Sequence, residues 1–377
     1  MRGAAALEAY PYDRLVRLRA VANQHAGGCV DLSLGDPCDP PPPAAVAALG
    51  GSGAEAAYPR SVGTPAFRAA AADWLARRCG AEVAADDVAA CVGTKELVAT
   101  LPRLLQLQGQ EGDTVLFPAV AYPTYAMGAA LAGLRALAVP LAADGQLDLA
   151  AINPSDADRA ICLWVNSPAN PTGALADLGA VAAWGRQRGV VVCSDECYVE
   201  FVWDRPPQGP PLRGHTILAH GAEGVVCLHS LSKRSNFAGM RAGFYTGDAE
   251  LVGFLAQARR HLGLMVPGPV QAAAAAALND DAHVEAQRRR YRRRLELLSS
   301  LLEGLGLRAP LPAGAFYLWV AAPDGDAWAL AERLAAEAGM LVSPGEFYGT
   351  AGAGHIRVSA TAPEDRLALL ADRLATV

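Results

Sequence analysis

Four short apolar runs rich in β-branched residues, Thr114–Phe117, Ile161–Val165, Val190–Cys193 and Val225–Leu228, alternate with Ala/Leu-rich stretches at helical spacing. Runs of this length and composition, separated by helical patterns, predict a mostly parallel sheet covered by helices. The helical spacing places helices at Leu97–Leu105, Ala126–Ala136, Ala174–Arg188 and Ala249–Leu264. Asp39 and the four prolines that follow it make an extended entry into this region, because each proline fixes φ and pushes its predecessor out of the α region. After about residue 270 the pattern changes to a long Arg-rich helix, the run Ala315–Val320, a helix over Trp328–Ala338 and the run His355–Ser359. That reads as a smaller α+β unit, expected to combine the C-terminal part with residues before the proline run.

The 21 residues from Thr114 to Leu134 carry no charge, the length of a membrane-spanning helix. Pro118 and Pro123 break it, so it divides into a strand, a loop and an amphipathic helix. The run Arg288–Arg294 resembles a nucleic-acid patch, yet its i,i+4 repeats and the apolar Leu295, Leu297 and Leu298 make it read as a solvated helix face.

Composition narrows the choice. Hydrophobic residues make up 52% and charged residues 19% of 377, so the chain can bury a large core and is not disordered. A net charge of -6 disfavours polyanionic partners. The eight cysteines form no C-x-x-C pair, and Glu8 and Asp13 interrupt the N-terminus before a secretory stretch builds up, which predicts reduced thiols in a cytoplasmic protein. The seven histidines show no metal spacing, and Cys193 and Cys197 lack partners for a zinc site, so no metal is expected.

Ligands of parallel α/β sheets bind beyond the carboxyl ends of the strands. There the chain reads Asn-Ser-Pro-Ala-Asn-Pro-Thr-Gly (166–173), Ser-Asp-Glu-Cys-Tyr (194–198) and His-Ser-Leu-Ser-Lys (229–233). One cleft would collect an amide, a carboxylate, a phenol, two hydroxyls and an amine. Upstream, Gly93, Thr94 and Lys95 open a helix, whose free N–H groups suit a phosphate. Arg241 follows Lys233 by eight residues in a Gly-bearing turn that can return to the same phosphate. An amine, a phosphate cradle, a carboxylate and an aromatic ring are the parts an aldehyde cofactor with a phosphate handle needs.

Asn-Pro-Thr-Gly (170–173), Ser-Asp-Glu-x-Tyr (194–198), Ser-Leu-Ser-Lys (230–233), Arg241 and Ile-Arg-Val-Ser (356–359) occur in the order of a known family. The chain resembles, over nearly its whole length, a fold-type I pyridoxal-phosphate aminotransferase of the aspartate-aminotransferase class. The resemblance implies a three-layer α/β sandwich with a smaller α+β domain: residues 1–38 as N-terminal arm and part of the small domain, 39–270 as the large cofactor-binding domain, and 271–377 as the C-terminal small domain. It further implies pyridoxal 5'-phosphate as cofactor and a homodimer with shared active sites.

The same resemblance assigns Lys233 to covalent cofactor attachment and proton transfer, and Asp195 to the pyridine nitrogen. Asn170 and Tyr198 fall to the ring 3′-oxygen and Tyr122 to ring stacking. Gly93, Thr94, Lys95, Ser230, Ser232 and Arg241 form the phosphate cup, with Tyr58 from the other subunit. Arg357, with Asn170 and Gly35, takes the substrate α-carboxylate, and Arg60 is a candidate for a distal carboxylate. Gly-Thr-Lys-Glu-Leu-Val-Ala (93–99), Ala-Tyr-Pro-Thr-Tyr (121–125) and Met-Val-Pro-Gly-Pro-Val-Gln-Ala-Ala (265–273) are most similar to actinobacterial N-succinyldiaminopimelate aminotransferases. The implied reaction transfers an amino group between glutamate/2-oxoglutarate and N-succinyl-LL-diaminopimelate/N-succinyl-2-amino-6-oxopimelate. Two readings stand beside it: another pyridoxal enzyme on this scaffold (a secondary-metabolism aminotransferase, lyase or oxidase) and a non-catalytic cofactor-binding protein.

Overall fold

In the computed structural model, which describes residues 11–204, 212 and 214–375, the apolar runs assemble into a seven-stranded sheet. Its spatial order is Val88–Cys91, Gly243–Gly247, Val225–Ser230, Val191–Asp195, Ala160–Asn166, Thr114–Pro118 and Arg135–Val139. Gly243–Gly247 pairs antiparallel with both neighbours, and the other pairings are parallel. The carboxyl ends of the parallel strands therefore share one edge, and the antiparallel strand begins there.

Side chains alternate between two covered faces. Cys162, Trp164, Val191 and Cys193 pack with Leu97, Leu101 and Leu105 of the helix Thr94–Gln108. Leu163, Val165 and Val192 pack on the other face with Leu178, Val181 and Ala182 of the helix Leu178–Arg188. This is the expected three-layer α/β sandwich, and burying each large apolar side chain contributes roughly 1.5–3 kcal/mol. The helices Pro65–Trp74 and Gly268–Leu278 extend the second face beneath Val88, Ala90 and Phe244. The division expected between residues 270 and 271 falls inside Gly268–Leu278.

A separate hydrophobic cluster joins Leu15, Leu18 and Ala22 to Leu295, Leu298, Leu330, Leu334, Ile356 and Leu367. It covers a three-stranded antiparallel sheet in the order Ser343–Pro344, His355–Ser359, Tyr317–Ala321, while Val30–Asp31 pairs in parallel with Met340–Leu341. Residues from before the proline run and from the C-terminal part thus share one core. Residues 1–10 of the expected arm lie outside the described residues.

Three expectations change. The helix expected over Ala126–Ala136 is Thr124–Leu131; the left-handed Gly133 (φ 72°) turns the chain into the edge strand Arg135–Val139. That strand is mostly exposed, and its sequence Arg-Ala-Leu-Ala-Val continues the Ala/Leu composition of the helix before it, with Val139 its one β-branched residue. The helix expected from Ala174 starts at Leu178, capped by the Asp177 side chain, which accepts from the Ala180 N–H. Within the helix Ala282–Gly304, Arg288 and Arg294 are buried rather than solvated. Arg288 donates to the backbone carbonyls of Glu200 and Val202, and Arg294 makes a two-pronged pair with Asp39 at 2.8 and 2.7 Å. Such pairing is what makes a buried guanidinium tolerable. Among the described residues no helix is long and apolar enough to cross a membrane.

Candidate active site

Three adjacent parallel strands end in Asn166, Asp195 and Ser230. Each end places a polar group at the carboxyl edge because the apolar strand behind it is held in the core. Ser230 caps the one-turn helix Leu231–Arg234: its Oγ accepts from the Ser232 N–H at 3.1 Å, which presents Lys233 to the cleft. Arg234, the next residue, is anchored the other way, donating to the Ala277 carbonyl at 2.9 Å and lying 3.6 Å from Glu200.

Gly93, with φ 69°, sits at the start of the helix Thr94–Gln108, and a Cβ there would overlap the guanidinium of Arg241. Arg241 itself adopts the left-handed region, φ 55°, just before the antiparallel strand. The small unit contributes Gly35, Tyr317 and Arg357.

These elements enclose a cavity of about 280 Å³ lined by Gly35, Thr94, Lys95, Tyr122, Asn170, Asp195, Tyr198, Ser230, Ser232, Lys233, Arg241 and Arg357. Twelve residues assigned from sequence therefore meet in one cleft, with Gly93 packed behind Arg241. Tyr58 and Arg60 do not join them. Tyr58 is 97% exposed, and both line a different cavity with Gln257, Arg260 and Met265.

The electrostatics of the cleft are set by burial. Asp195 is buried; its Oδ2 accepts from Tyr125 Oη at 2.8 Å and its Oδ1 from the Cys197 N–H at 3.2 Å. Burial raises its pKa and these hydrogen bonds oppose the rise, while among the described residues no cation pairs with it. Lys233 Nζ donates to the Gly35 carbonyl and lies 4.0 Å from Asp36. Burial, reinforced by the charges of Arg357 and Arg241 and opposed by Asp36, brings the amine down to about 8.

Arg357 is buried, stacked over Tyr317 at 4.2 Å and Tyr348 at 4.9 Å. Its Nη1 donates to Asn170 Oδ1 at 2.8 Å, and its Nη2 donates to the Ser33 carbonyl at 2.6 Å and to Tyr12 Oη at 3.2 Å. Gly35 has no room for a side chain, since a Cβ would overlap Tyr317 Oη. Tyr317 in turn shares a 2.9 Å hydrogen bond with Tyr198.

Several participants escaped the sequence reading. Asn166 donates to the Asp195 carbonyl and accepts from the Asn170 N–H, both at 2.7 Å, tying two strand ends together. Tyr12, Tyr125, Tyr317 and Cys197, whose Sγ lies 3.2 Å from Thr94 Oγ1, were likewise unassigned. Their partners are fixed only by tertiary packing; the one available signal was position, for Asn166 is the last residue of its strand.

Behind the cleft, Glu196, Cys227 and His229 bring a carboxylate oxygen, a thiol and a ring nitrogen within 4.8 Å of one another, all buried. Burial pushes the Glu196 carboxyl up to about 7 and the His229 imidazole down to about 3, favouring neutral forms. Glu196 therefore contributes stability that is complete below its ordinary 4.5 and lost as pH rises toward 7, whereas His229 contributes stability lost as pH falls from 6.5 toward 3. Glu196→Gln keeps an acceptor for the Ser194 hydroxyl and Ile217 N–H and removes the first dependence. In urea melts the difference between wild type and variant should move against the wild type from pH 4.5 to 7; a constant difference contradicts this assignment.

Residues 28–374 match the model of the family described as aminotransferase class I and II. The chain is 43% identical over 371 residues to the 4-dedimethylamino-4-oxo-anhydrotetracycline transaminase OxyQ of Streptomyces rimosus, covering 98% of this chain and 99% of that one. It is 38% identical to an LL-diaminopimelate aminotransferase of Desulforudis audaxviator, covering 98% and 95%. Among solved structures, a probable N-succinyldiaminopimelate aminotransferase of Thermus thermophilus superposes with a TM-score of 0.84 at 30% identity, covering 97% and 100%.

Proposed function

From the premise that the chain belongs to the aminotransferase class I and II family, we propose a division of labour among the residues of this cleft. The protein is a pyridoxal-phosphate-dependent aminotransferase acting on small molecules. Asp195 carries the reading of the site: a buried carboxylate on the cavity floor, hydrogen-bonded but facing no cation among the described residues, is costly unless a positive group meets it. A protonated pyridine ring satisfies that demand, and the residues present fit it.

When bound, pyridoxal phosphate supplies an aldehyde to hold the amino group and a ring to accept electrons from the substrate Cα. Asp195 keeps the ring nitrogen protonated. Lys233 would hold the cofactor at rest and, once the substrate amine has displaced it, would be free to take the proton from Cα and give it back. Its lowered pKa leaves a useful uncharged fraction near neutral pH. Asn170 and Tyr198 hold the ring oxygen, Tyr122 lies against the ring face, and Gly93, Thr94, Lys95, Ser230, Ser232 and Arg241 receive the phosphate. Arg357, its guanidinium fixed by Asn170 and the Ser33 carbonyl, grips the α-carboxylate with the Gly35 backbone beside it. The exposed Tyr58, with Arg60, serves the site of a second copy in a homodimer.

For the substrate pair we propose glutamate/2-oxoglutarate with N-succinyl-LL-diaminopimelate/N-succinyl-2-amino-6-oxopimelate, in lysine and diaminopimelate biosynthesis. The 30% identity to a probable N-succinyldiaminopimelate aminotransferase supports it. A second reading, a secondary-metabolism transaminase, is favoured by the 43% identity to OxyQ. Mixing the purified protein with glutamate and a panel of keto compounds, while following the bound-cofactor absorbance and the new amino product, decides between them. No turnover of the N-succinyl keto acid would sink the first.

Arg357→Lys separates them further. Loss of the planar fork should raise KM for glutamate and for a keto-acid acceptor by about 10- to 100-fold each. An acceptor without an α-carboxylate would leave its own half-reaction unchanged.

A further inference from the structure

We propose that Tyr125 is a positioning residue for the amino-group transfer: its hydroxyl holds Asp195 ionised and aimed, and so sets how firmly the ring nitrogen keeps its proton. This rests on the cofactor reading above and deepens it. The carboxylate of Asp195 accepts from Tyr125 Oη on Oδ2 at 2.8 Å and from the Cys197 N–H on Oδ1 at 3.2 Å, and the Cys197 thiol adds a further hydrogen bond from the same turn. The backbone donor is the longer, and it belongs to the turn that carries the carboxylate itself. The phenol comes from another element, the helix Thr124–Leu131, and fixes the carboxylate from outside.

Tyr125 is itself fully buried and immobilised. Its ring stacks on Trp164 at 4.8 Å and 16°, and meets Tyr122 edge-on at 5.9 Å and 83°. Tyr122 lines the cavity and Trp164 is a fully buried residue of the central sheet. One side chain thus connects the sheet core, the aromatic wall of the cleft and the carboxylate on its floor. A neutral donor suits this place better than a cation would: it favours the charged carboxylate without competing for the position a pyridinium must occupy.

Tyr125→Phe keeps the ring and its packing and deletes the hydrogen bond. With labelled pyridoxal phosphate, NMR of the ring nitrogen should show it protonated in the wild type and partly deprotonated in the variant at the same pH. The kcat should fall about 10- to 100-fold with KM for glutamate little changed. In an Asp195→Asn background the same substitution should cost almost nothing further, because its route runs through Asp195. Thermal melts of the variants confirm that they are folded. An unchanged ring-nitrogen signal in Tyr125→Phe, or losses that multiply in the double variant, overturns the proposal. A wild type that binds no pyridoxal phosphate instead overturns the reading of the cleft on which it rests.

Discussion

Lys233→Ala should lower turnover by up to about 10⁴-fold, since on the proposed mechanism it removes the base that moves the Cα proton. The same change should abolish the absorbance of lysine-bound cofactor, while pyridoxal phosphate still binds through the phosphate cup. Its geometry explains the size of the effect. The amine is brought down to about 8 by burial and donates to the Gly35 carbonyl, at the meeting of the two units. A small amine added to the buffer should restore part of the rate if the cavity left by the side chain admits it. Full activity in Lys233→Ala would remove the basis of the mechanism.

Asp195→Asn should lower kcat by about 10²- to 10³-fold, the scale of losing one partner of a buried charge pair. The amide has nearly the same shape as the carboxylate, so the Tyr125 and Cys197 N–H contacts leave it seated in the same place. What disappears is the negative charge proposed to keep the ring nitrogen protonated. Steady-state kinetics with glutamate, combined with cofactor titration, test this. Retention of wild-type kcat would mean that the ring nitrogen draws nothing from this position.

The parts of the fold that were legible in sequence are buried strands written in long apolar, β-branched runs. Ile161–Val165 and Val225–Leu228 carry unbroken apolar and β-branched runs, and both lie in the middle of the sheet. The buried Val88–Cys91 (Val-Ala-Ala-Cys) and Gly243–Gly247 (Gly-Phe-Tyr-Thr-Gly) and the exposed edge strand Arg135–Val139 each carry a single β-branched residue and have no comparable pattern. The Arg288–Arg294 run was misread because helical spacing tells which residues share a face but not whether an acidic partner waits opposite: Asp39 lies far away in sequence.

The site divides in the same way. Asp195, Ser230 and Lys233 announce themselves as polar residues at the ends of apolar strands, and motif order identified the family. Asn166, Tyr125 and Tyr317 act on partners 29, 70 and 119 residues away, a relation no local pattern encodes. Substrate choice was the least legible: Tyr58 and Arg60, the residues the sequence offered toward it, stand apart from the cavity within a single chain.

The neighbours Lys233 and Arg234 point to opposite fates, one into the cleft and the other into the core, where Ala277 and Glu200 clamp it. The lysine proposed as the base is therefore a limb hung from an anchored shoulder. Its reach comes from its four methylenes, while the main chain beneath it is tied down by the Ser230 cap on one side and by Arg234 on the other.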